Sequence, residues 1–482
     1  MLLTEAHDFA CCGANWPSTR FWLDVFPWAV LRSAHLMLDL QPFLTAYDPS
    51  DLPGGSIDPL GFDRGYIFLA DKILPGLTNV ASRPRYFSLL CAGVLLADQA
   101  ADGASSRLNE RREHRRQCIL RLERFWTLAN VLAAQEVRED VLDVGGIRGV
   151  RYVQNHIGRL MERGAKDVGA DFQLLSRQMP YGVIGIYGAV SDGMRLIERD
   201  SLALTPDLGE VLAEAFLAET DMPKSLRKAV QEDGTVPLAT LTRWGERAHI
   251  SGKVGAGEGA GLKDALQQNP TRWRMAALLA THPWTKDDTE LARLERITNT
   301  LAKGHEDADL MEGILGILAF ERWYRLALLG FQRLLWRCRE CEPYVLTLND
   351  IEKDEVFADM GAQLQAAYQE LAVHLRTSAA EAFRRDLHRL EDVRRFLEQA
   401  ALYTEPRPLV LALLQRHMDV QRAKIAGGRS KMPWLEMSGE QIRPTIGQAL
   451  RVDHEPALPE HIAPHAYRVG SAQALLSAAG IV

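Results

Sequence analysis

The chain has 482 residues, of which 47% are hydrophobic and 25% are charged. This composition is that of an ordinary folded protein and excludes a wholly disordered chain. A formal net charge of −7 and a pI near 6.0 exclude a generally basic nucleic-acid coat. Six cysteines are too few for a disulfide scaffold in a chain of this length, so we expect reduced thiols and a cytoplasmic location.

The sequence predicts neither a membrane span nor a signal peptide. Its longest stretches without a charged residue, 178–191 and 469–482, are shorter than the ~18 residues that a spanning helix needs. Residues 1–38 lack a basic start followed by an apolar core and a cleavage site. We expect an irregular N-terminal extension over 1–38, and the more regular sequence from Met37 leaves Met1 and Met37 as alternative starts.

An N-terminal helical domain is predicted over 39–144. Turn-forming residues are frequent in 37–66, which predicts an extended lead-in. Apolar residues at three- and four-residue spacing predict a buried helix over 86–97. A charged, amphipathic helix is predicted over 107–134, and its apolar side includes Trp126.

A compact unit is predicted over 145–222, after a boundary that glycines mark. In order, it should contain helices over 152–161, 172–179 and 182–194, a β-hairpin over 196–204, and a last helix with Thr205 as N-cap and Pro206 in its first position. Three helices, a hairpin and another helix resemble a winged helix-turn-helix. The predicted fold is therefore mainly α: a helical multi-domain protein with a central winged-helix-like domain.

Three further segments complete the predicted organisation. A linker and helical segment with a glycine-rich loop is predicted over 223–300. The glycines at 252–261 lack the Lys-Ser/Thr pair that follows the last glycine of a phosphate-binding loop, so we expect a flexible loop. A C-terminal helical domain over 301–425 begins with a long buried helix, predicted over 308–337. An irregular tail is expected over 426–482.

A basic segment provides the first candidate binding site. Residues 107–124 contain seven arginines and three glutamates, a net charge of +4. A helix face of this kind contacts nucleic-acid phosphates, or it is solvated and paired with its own glutamates, which is the more common arrangement. The candidate nucleic-acid contacts are Arg111, Arg112, Arg115, Arg116, Arg195 and Arg199.

The candidate recognition helix of the winged-helix-like unit, 181–195, contains one basic residue, Arg195. Base and phosphate readers normally supply several Arg, Lys or Asn side chains. Two interpretations of this unit follow, DNA contact and a protein scaffold. The apolar character of the helix favours the scaffold.

A second candidate site, for an anion or an acidic partner, lies beside a predicted helix start. Its residues are Asn79, Arg83 and Arg85. The alternative is structural, with a turn made by Thr78 or Asn79 and with both arginines paired to carboxylates in a partly buried network. We favour this alternative because buried arginine is usually paired. The carboxylates expected as partners are Asp58, Asp63 and Asp71.

The sequence contains no recognisable catalytic or dinucleotide motif. Cys338 and Cys341 have the spacing of half a zinc site, but no second cysteine pair completes the four ligands of structural zinc. We therefore expect no metal site and no cofactor. Whether the chain is an enzyme stays open, and a non-catalytic role is favoured.

The segment 74–87 reads PGLTN from Pro75 and RPRYF from Arg83. It resembles the Pro-Gly-x-(Ser/Thr)-Asn and Arg-x-Arg-Tyr-Phe block of an uncharacterised bacterial family of helical, winged-helix-like proteins. The stretch from Gln421 to Arg468 is also similar to that family. The resemblance implies a component of a multi-gene defence locus against phage or plasmids, and it transfers no catalytic residue.

The sequence therefore predicts a non-catalytic subunit of a bacterial defence complex that recognises DNA or docks onto a catalytic partner protein. One alternative is a nuclease or toxin effector whose active site the sequence does not reveal. Another is a winged-helix transcriptional regulator, which would need a basic recognition helix. The expected partners are proteins of a multi-subunit complex, with DNA as a further partner and no membrane.

Overall fold

The chain is mainly helical, as its sequence predicts. A computed structural model describes residues 58–101, 107–136, 142–285, 288–304, 307–341, 344–375, 395–396, 403–426, 428–445, 452 and 454–482. The predicted extension over 1–38 and the alternative starts at Met1 and Met37 lie outside these residues.

The described residues form seventeen α-helices and nine short strands. The helices are α1 (Asp63–Ile73), α2 (Arg85–Ala100), α3 (Leu108–Glu136), α4 (Val150–Glu162), α5 (Gln178–Tyr181), α6 (Val183–Gly193), α7 (Gly209–Glu219), α8 (Lys224–Glu232), α9 (Leu238–Arg247), α10 (Ala256–Gln267), α11 (Pro270–Thr281), α12 (Glu290–Gly304), α13 (Ala308–Glu340), α14 (Leu348–Glu352), α15 (Glu355–Leu375), α16 (Pro406–Ala423) and α17 (Val469–Ala478). The strands are β1 (Asp167–Val168), β2 (Ile197–Glu198), β3 (Ala203–Leu204), β4 (Val236–Pro237), β5 (Leu346–Thr347), β6 (Ile425–Ala426), β7 (Arg429–Ser430), β8 (Leu435–Ser438) and β9 (Gln441–Pro444).

The strands pair in small antiparallel sheets. β1 pairs with β4, β2 with β3, and β6 with β7, while β5, β9 and β8 form a three-stranded sheet in that order.

The chain divides into two compact units. The larger unit contains Phe68–Ile314 and Ala466–Val482, and the smaller unit contains the described residues up to Ile67 together with Leu315–His465. The six linear segments predicted from the sequence stay a prediction.

The core of the larger unit is built around the C-terminal half of α3, where the apolar run predicts burial. Trp126 on this helix is fully buried. Its indole Nε1–H donates to the carbonyl oxygen of Ala248 at 2.7 Å, and its ring meets Tyr86 of α2 edge-on with centroids 4.9 Å apart. Tyr86 in turn stacks on Tyr187 of α6 at 4.7 Å. The aromatic cluster thus joins α2, α3 and α6.

Helix α9 crosses α3 at a glycine. A Cβ at Gly245 would overlap the carbonyl oxygen of Ala129, so the two backbones can approach closely only because this position has no side chain. Gly158 of α4 is the opposite case, since a Cβ there would meet no atom within 4 Å.

Replacing Gly245 by Ala should lower the free energy of unfolding by about 1–3 kcal/mol, because the added methyl group forces the two helices apart. The matched control is Gly158→Ala, which should raise it by up to about 1 kcal/mol through helix propensity. Urea denaturation of both variants measures these changes. A Gly245→Ala variant as stable as the wild type would contradict the close crossing.

The structure corrects the predicted glycine-rich loop over 252–261, because most of this segment lies within α10. A Cβ at Gly259 would lie 2.8 Å from the carbonyl oxygen of Ala478, and one at Gly261 would lie 3.2 Å from Leu212. These glycines therefore allow α10 to pack closely against neighbouring elements. The sequence showed their spacing but not this packing role.

The predicted irregular tail over 426–482 is also corrected, because strands β6 to β9 and helix α17 lie in or across this range. Helix α17 begins after Arg468 and has no local capping side chain. Glu290 instead accepts the backbone N–H groups of Tyr467 at 2.6 Å and Gly470 at 2.9 Å. A helix that is capped from a distant segment gives no local start signal.

Between 145 and 222 the three helices, the β2–β3 hairpin and the last helix follow the predicted order. The strand β1, which was not predicted, lies between α4 and α5 and pairs with β4 outside this range. Two of the helices also begin later than predicted. The predicted helix over 172–179 is reduced to α5, a single turn that begins at Gln178. Thr205 does not directly precede the last helix, since α7 begins at Gly209. The Thr205 hydroxyl nevertheless accepts the Gly209 N–H at 3.1 Å, so it caps the helix from a longer distance along the chain.

In the smaller unit, His417 connects three segments. Its Nδ1–H donates to the Pro59 carbonyl oxygen at 2.9 Å, and its Nε2 accepts the Trp434 N–H at 2.7 Å. These two bonds require the neutral ring with its proton on Nδ1. Burial lowers the pKa of His417 to about 4, so the ring remains neutral at physiological pH.

Candidate binding cleft

Three segments of the larger unit line a cleft with a volume of about 690 Å³. The first turns of α3, the break between α5 and α6, and the hairpin of β2 and β3 contribute to it. The lining residues are Asn109, Arg112, Glu113, Arg116, Met179, Pro180, Ile184, Gly185, Gly188, Ala189, Arg199 and Leu202. We call the residues of α5 and α6 the floor and the three arginines the rim.

Helical spacing explains why α3 lines the cleft with four residues. Asn109, Arg112, Glu113 and Arg116 are three or four positions apart and share one helix face. Arg116 forms an ion pair with Glu113, and this hydrogen bond lowers the pKa of Glu113. Arg112 and Arg199 are exposed, and neither guanidinium has a partner among the described residues. The rim therefore carries uncompensated positive charge.

The floor is apolar, and three of its six lining residues are glycine or alanine. Gly185, Gly188 and Ala189 share one face of α6, and Ile184 lies beside them. A Cβ at Gly185 would overlap the carbonyl oxygen of Pro180, whereas a Cβ at Gly188 would meet nothing within 4 Å. The space above Gly188 is therefore open to an occupant.

Beneath the floor lies the fully buried carboxylate of Glu123. One oxygen accepts the Val183 N–H and the other accepts the Gln178 side-chain amide, both at 2.7 Å. A Cβ at Gly182 would lie 2.7 Å from the same carboxylate, so glycine is required between the two helices. Burial raises the pKa of Glu123 to about 7, while the hydrogen bonds from Gln178 and Val183 lower it.

Because the pKa of Glu123 rises on folding, the folded state binds this proton more tightly than the unfolded chain does. The contribution to stability is therefore full below the ordinary pKa of 4.5 and is lost as the pH rises through about 7. Between pH 5 and pH 8, the free energy of unfolding of the wild type should fall by about 2–3 kcal/mol more than that of Glu123→Gln.

Urea denaturation at a series of pH values checks this dependence. Glu162→Gln, at the exposed end of α4, is the matched control and should follow the wild-type profile. Parallel profiles for wild type and Glu123→Gln would contradict the assignment.

The other three predicted nucleic-acid contacts lie outside the cleft lining. Arg115 is only 12% exposed; it donates to both carboxylate oxygens of Asp98, at 2.7 and 3.1 Å, and to the Ser201 carbonyl oxygen at 3.1 Å. It therefore attaches the β2–β3 hairpin to α3. Arg111 is exposed on α3. Arg195 donates to Gln268 at 3.0 Å.

In the second predicted site, the Arg85 side chain is buried and bonded within the protein. Arg85 is 3% exposed and donates to the carbonyl oxygens of Arg247, His249 and Lys253 at 2.7–3.0 Å. Its ion-pair partner is Glu258, at 3.6 Å. The favoured interpretation, a buried and paired arginine, matches this arrangement. The expected partners, Asp58, Asp63 and Asp71, were wrong because folding brings α10 beside α2.

The Asn79 side chain and the Arg83 backbone also make hydrogen bonds within the larger unit. The Asn79 side chain donates to the Ala466 carbonyl oxygen and accepts the Arg468 N–H at 2.7 Å. The Arg83 backbone N–H donates to the Tyr187 hydroxyl at 3.2 Å. The PGLTN and RPRYF block therefore joins α2, α6 and the segment before α17.

Sequence reasoning identified the apolar character of the helix over 181–195, but it missed the stripe of small residues on this helix and the carboxylate beneath it. The small residues at 185, 188 and 189 have helical spacing, which was a usable signal for a flat helix face. Three residues that lie three or four positions from Glu123 on α3 are apolar, Ile119, Leu120 and Trp126, so Glu123 falls on an apolar helix face, which is a usable signal for a buried acid. The local sequence gives no signal that α3 packs beside α5 and α6.

Comparison with protein-family models, curated proteins and solved structures finds no match for this chain. The resemblance of the 74–87 block to a bacterial family therefore stays a prediction. Among the described residues, no group of three or more His, Cys, Asp or Glu side chains is arranged to hold a metal ion. None of the described helices combines the length and the apolar character needed to cross a bilayer.

Proposed function

We propose that this chain is a non-catalytic, cytoplasmic subunit of a bacterial defence complex, and that its cleft is the docking site for a partner protein. The observation that carries the proposal is the combination of an apolar, side-chain-poor floor with an arginine rim. Interfaces between proteins combine an apolar centre with a polar margin, and arginine is enriched in them.

The floor supports protein docking better than base recognition. Sequence-specific DNA readers place Arg, Lys, Asn or Gln side chains on the recognition helix. The cleft-facing positions of α6 are Ile184, Gly185, Gly188 and Ala189, and none of them donates or accepts a side-chain hydrogen bond. This favours the scaffold over the transcriptional regulator.

The winged-helix-like assignment of 145–222 remains part of the proposal and rests on element order. A helix-turn-helix normally joins its two helices by a turn of three or four residues. Here only Gly182 separates α5 from α6, and α5 has four residues. We therefore propose a winged-helix-like order of elements whose α6 face is used for protein contact.

Filling the cleft should remove partner binding without disturbing the fold. Gly188→Leu places a side chain in the open space above the floor and keeps all three rim arginines. When the chain is tagged and expressed with its gene neighbourhood, we expect Gly188→Leu to recover at least about tenfold less partner than the wild type. The matched control, Gly158→Leu on α4, should recover the wild-type amount.

Mass spectrometry quantifies the co-purified proteins, and nuclease treatment before elution tests for DNA. Full recovery of the partner by Gly188→Leu would contradict docking in the cleft. Recovery that nuclease treatment abolishes would replace the proposal by DNA contact. A chain that purifies alone would contradict the subunit role and favour the effector alternative.

A further inference from the structure

We infer that the cleft receives an acidic, amphipathic α-helix of the partner protein, a conclusion that rests on the proposed docking function. Grooves that bind helices contact an apolar stripe at positions i, i+3, i+4 and i+7 of their ligand. The cleft offers a complementary surface, since its floor is apolar and its rim is cationic.

The floor has the geometry of a helix-packing face. Gly185, Gly188 and Ala189 are separated by three and one positions, which places them on the same side of α6. Small residues at such an interface let two helix backbones approach closely. Because the space above Gly188 is open, a docked helix can reach the α6 backbone there.

Larger apolar side chains flank this stripe. Met179 and Pro180 come from α5, and Leu202 comes from the hairpin between β2 and β3. An occupant with side chains of moderate size on one face would bury them against these residues. A fully polar segment would leave the apolar lining in contact with polar groups, which is unfavourable.

The rim specifies the charge of the occupant. Arg112 and Arg116 are four residues apart on α3, which is about one helical turn. Glu113 compensates part of the charge of Arg116, so the strongest demand for an anion is at Arg112 and Arg199. Carboxylates of Asp or Glu spaced one turn apart on a docked helix match the spacing of Arg112 and Arg116.

A nucleic-acid strand matches the rim but not the floor. Proteins that bind single strands stack bases on aromatic side chains. None of the described residues that line the cleft is aromatic. Phosphates would thus meet the arginines while the bases or sugars would face an apolar surface with no stacking partner, so the observations favour the helix.

Site-specific crosslinking in the assembled complex identifies the occupant. We place a photoreactive benzoylphenylalanine at position 184 in the floor, and at position 211 on α7 as a control, because Val211 is exposed and outside the lining. The expected product from 184 is a partner peptide with apolar residues at helical spacing and at least two acidic residues one turn apart. The control position should not give this peptide.

A crosslinked peptide without acidic residues, or with an extended, non-helical pattern, would overturn the inference and leave the docking function standing. A nucleic-acid crosslink from 184 would overturn both. Absence of any crosslink from 184 in a complex that is otherwise intact would also overturn both, because it would place the partner elsewhere.

A charge exchange then tests the rim directly. Arg112→Glu should weaken partner binding about fivefold or more, as expected for a pair at an interface margin. Reversal of the facing partner acid to Arg should weaken binding similarly, and the two reversals together should restore most of the affinity. Additive losses, with no restoration, would overturn the acidic-helix assignment.

Discussion

The Glu123 carboxylate is the interaction on which the cleft depends. It is bonded to Val183 at the start of α6 and to Gln178 at the start of α5, so both helices of the floor are held to α3. Two donated hydrogen bonds offset only part of the desolvation of the carboxylate, which is why its pKa rises. The floor is thus positioned by a group that makes the fold less stable at neutral pH. Proteins often accept such a cost where a surface must be positioned accurately.

The arginines of this chain serve two different purposes. Arg85 and Arg272 are buried and donate to backbone carbonyl oxygens, and burial lowers the pKa of Arg272 to about 10. They connect loops within the larger unit. Arg112 and Arg199 remain exposed beside the cleft. The carbonyl groups that accept hydrogen bonds from a buried guanidinium come from several segments of the chain. The amino-acid sequence alone therefore does not show whether an arginine is buried and bonded or exposed.

Long periodic helices were predictable from the sequence. The predicted spans 86–97, 107–134 and 308–337 correspond to α2, α3 and α13, because apolar spacing over several turns reflects burial directly. Elements that depend on distant partners were not predictable in this way. Helix α17 is capped by Glu290 from another segment, and the glycines of α10 are explained by the helices that pack against them. Local propensity is a weak guide where tertiary contacts decide the structure.

The candidate site, like helix α17, depends on contacts between distant segments that the local sequence does not show. The charge of Arg112 and Arg116 and the apolar face of α6 are visible in the sequence, but the cleft exists only because the fold brings these segments together.

The combination of this floor with this rim has an energetic consequence. Gly185, Gly188 and Ala189 have no side-chain rotamers to immobilise when an occupant binds, so at these positions of the floor most of the conformational entropy lost belongs to the occupant. The flexible arginines at the rim do lose entropy on pairing and remain partly solvated, so they contribute selectivity for charge more than affinity. In the proposed docking, the floor therefore supplies most of the affinity and the rim determines the choice of partner.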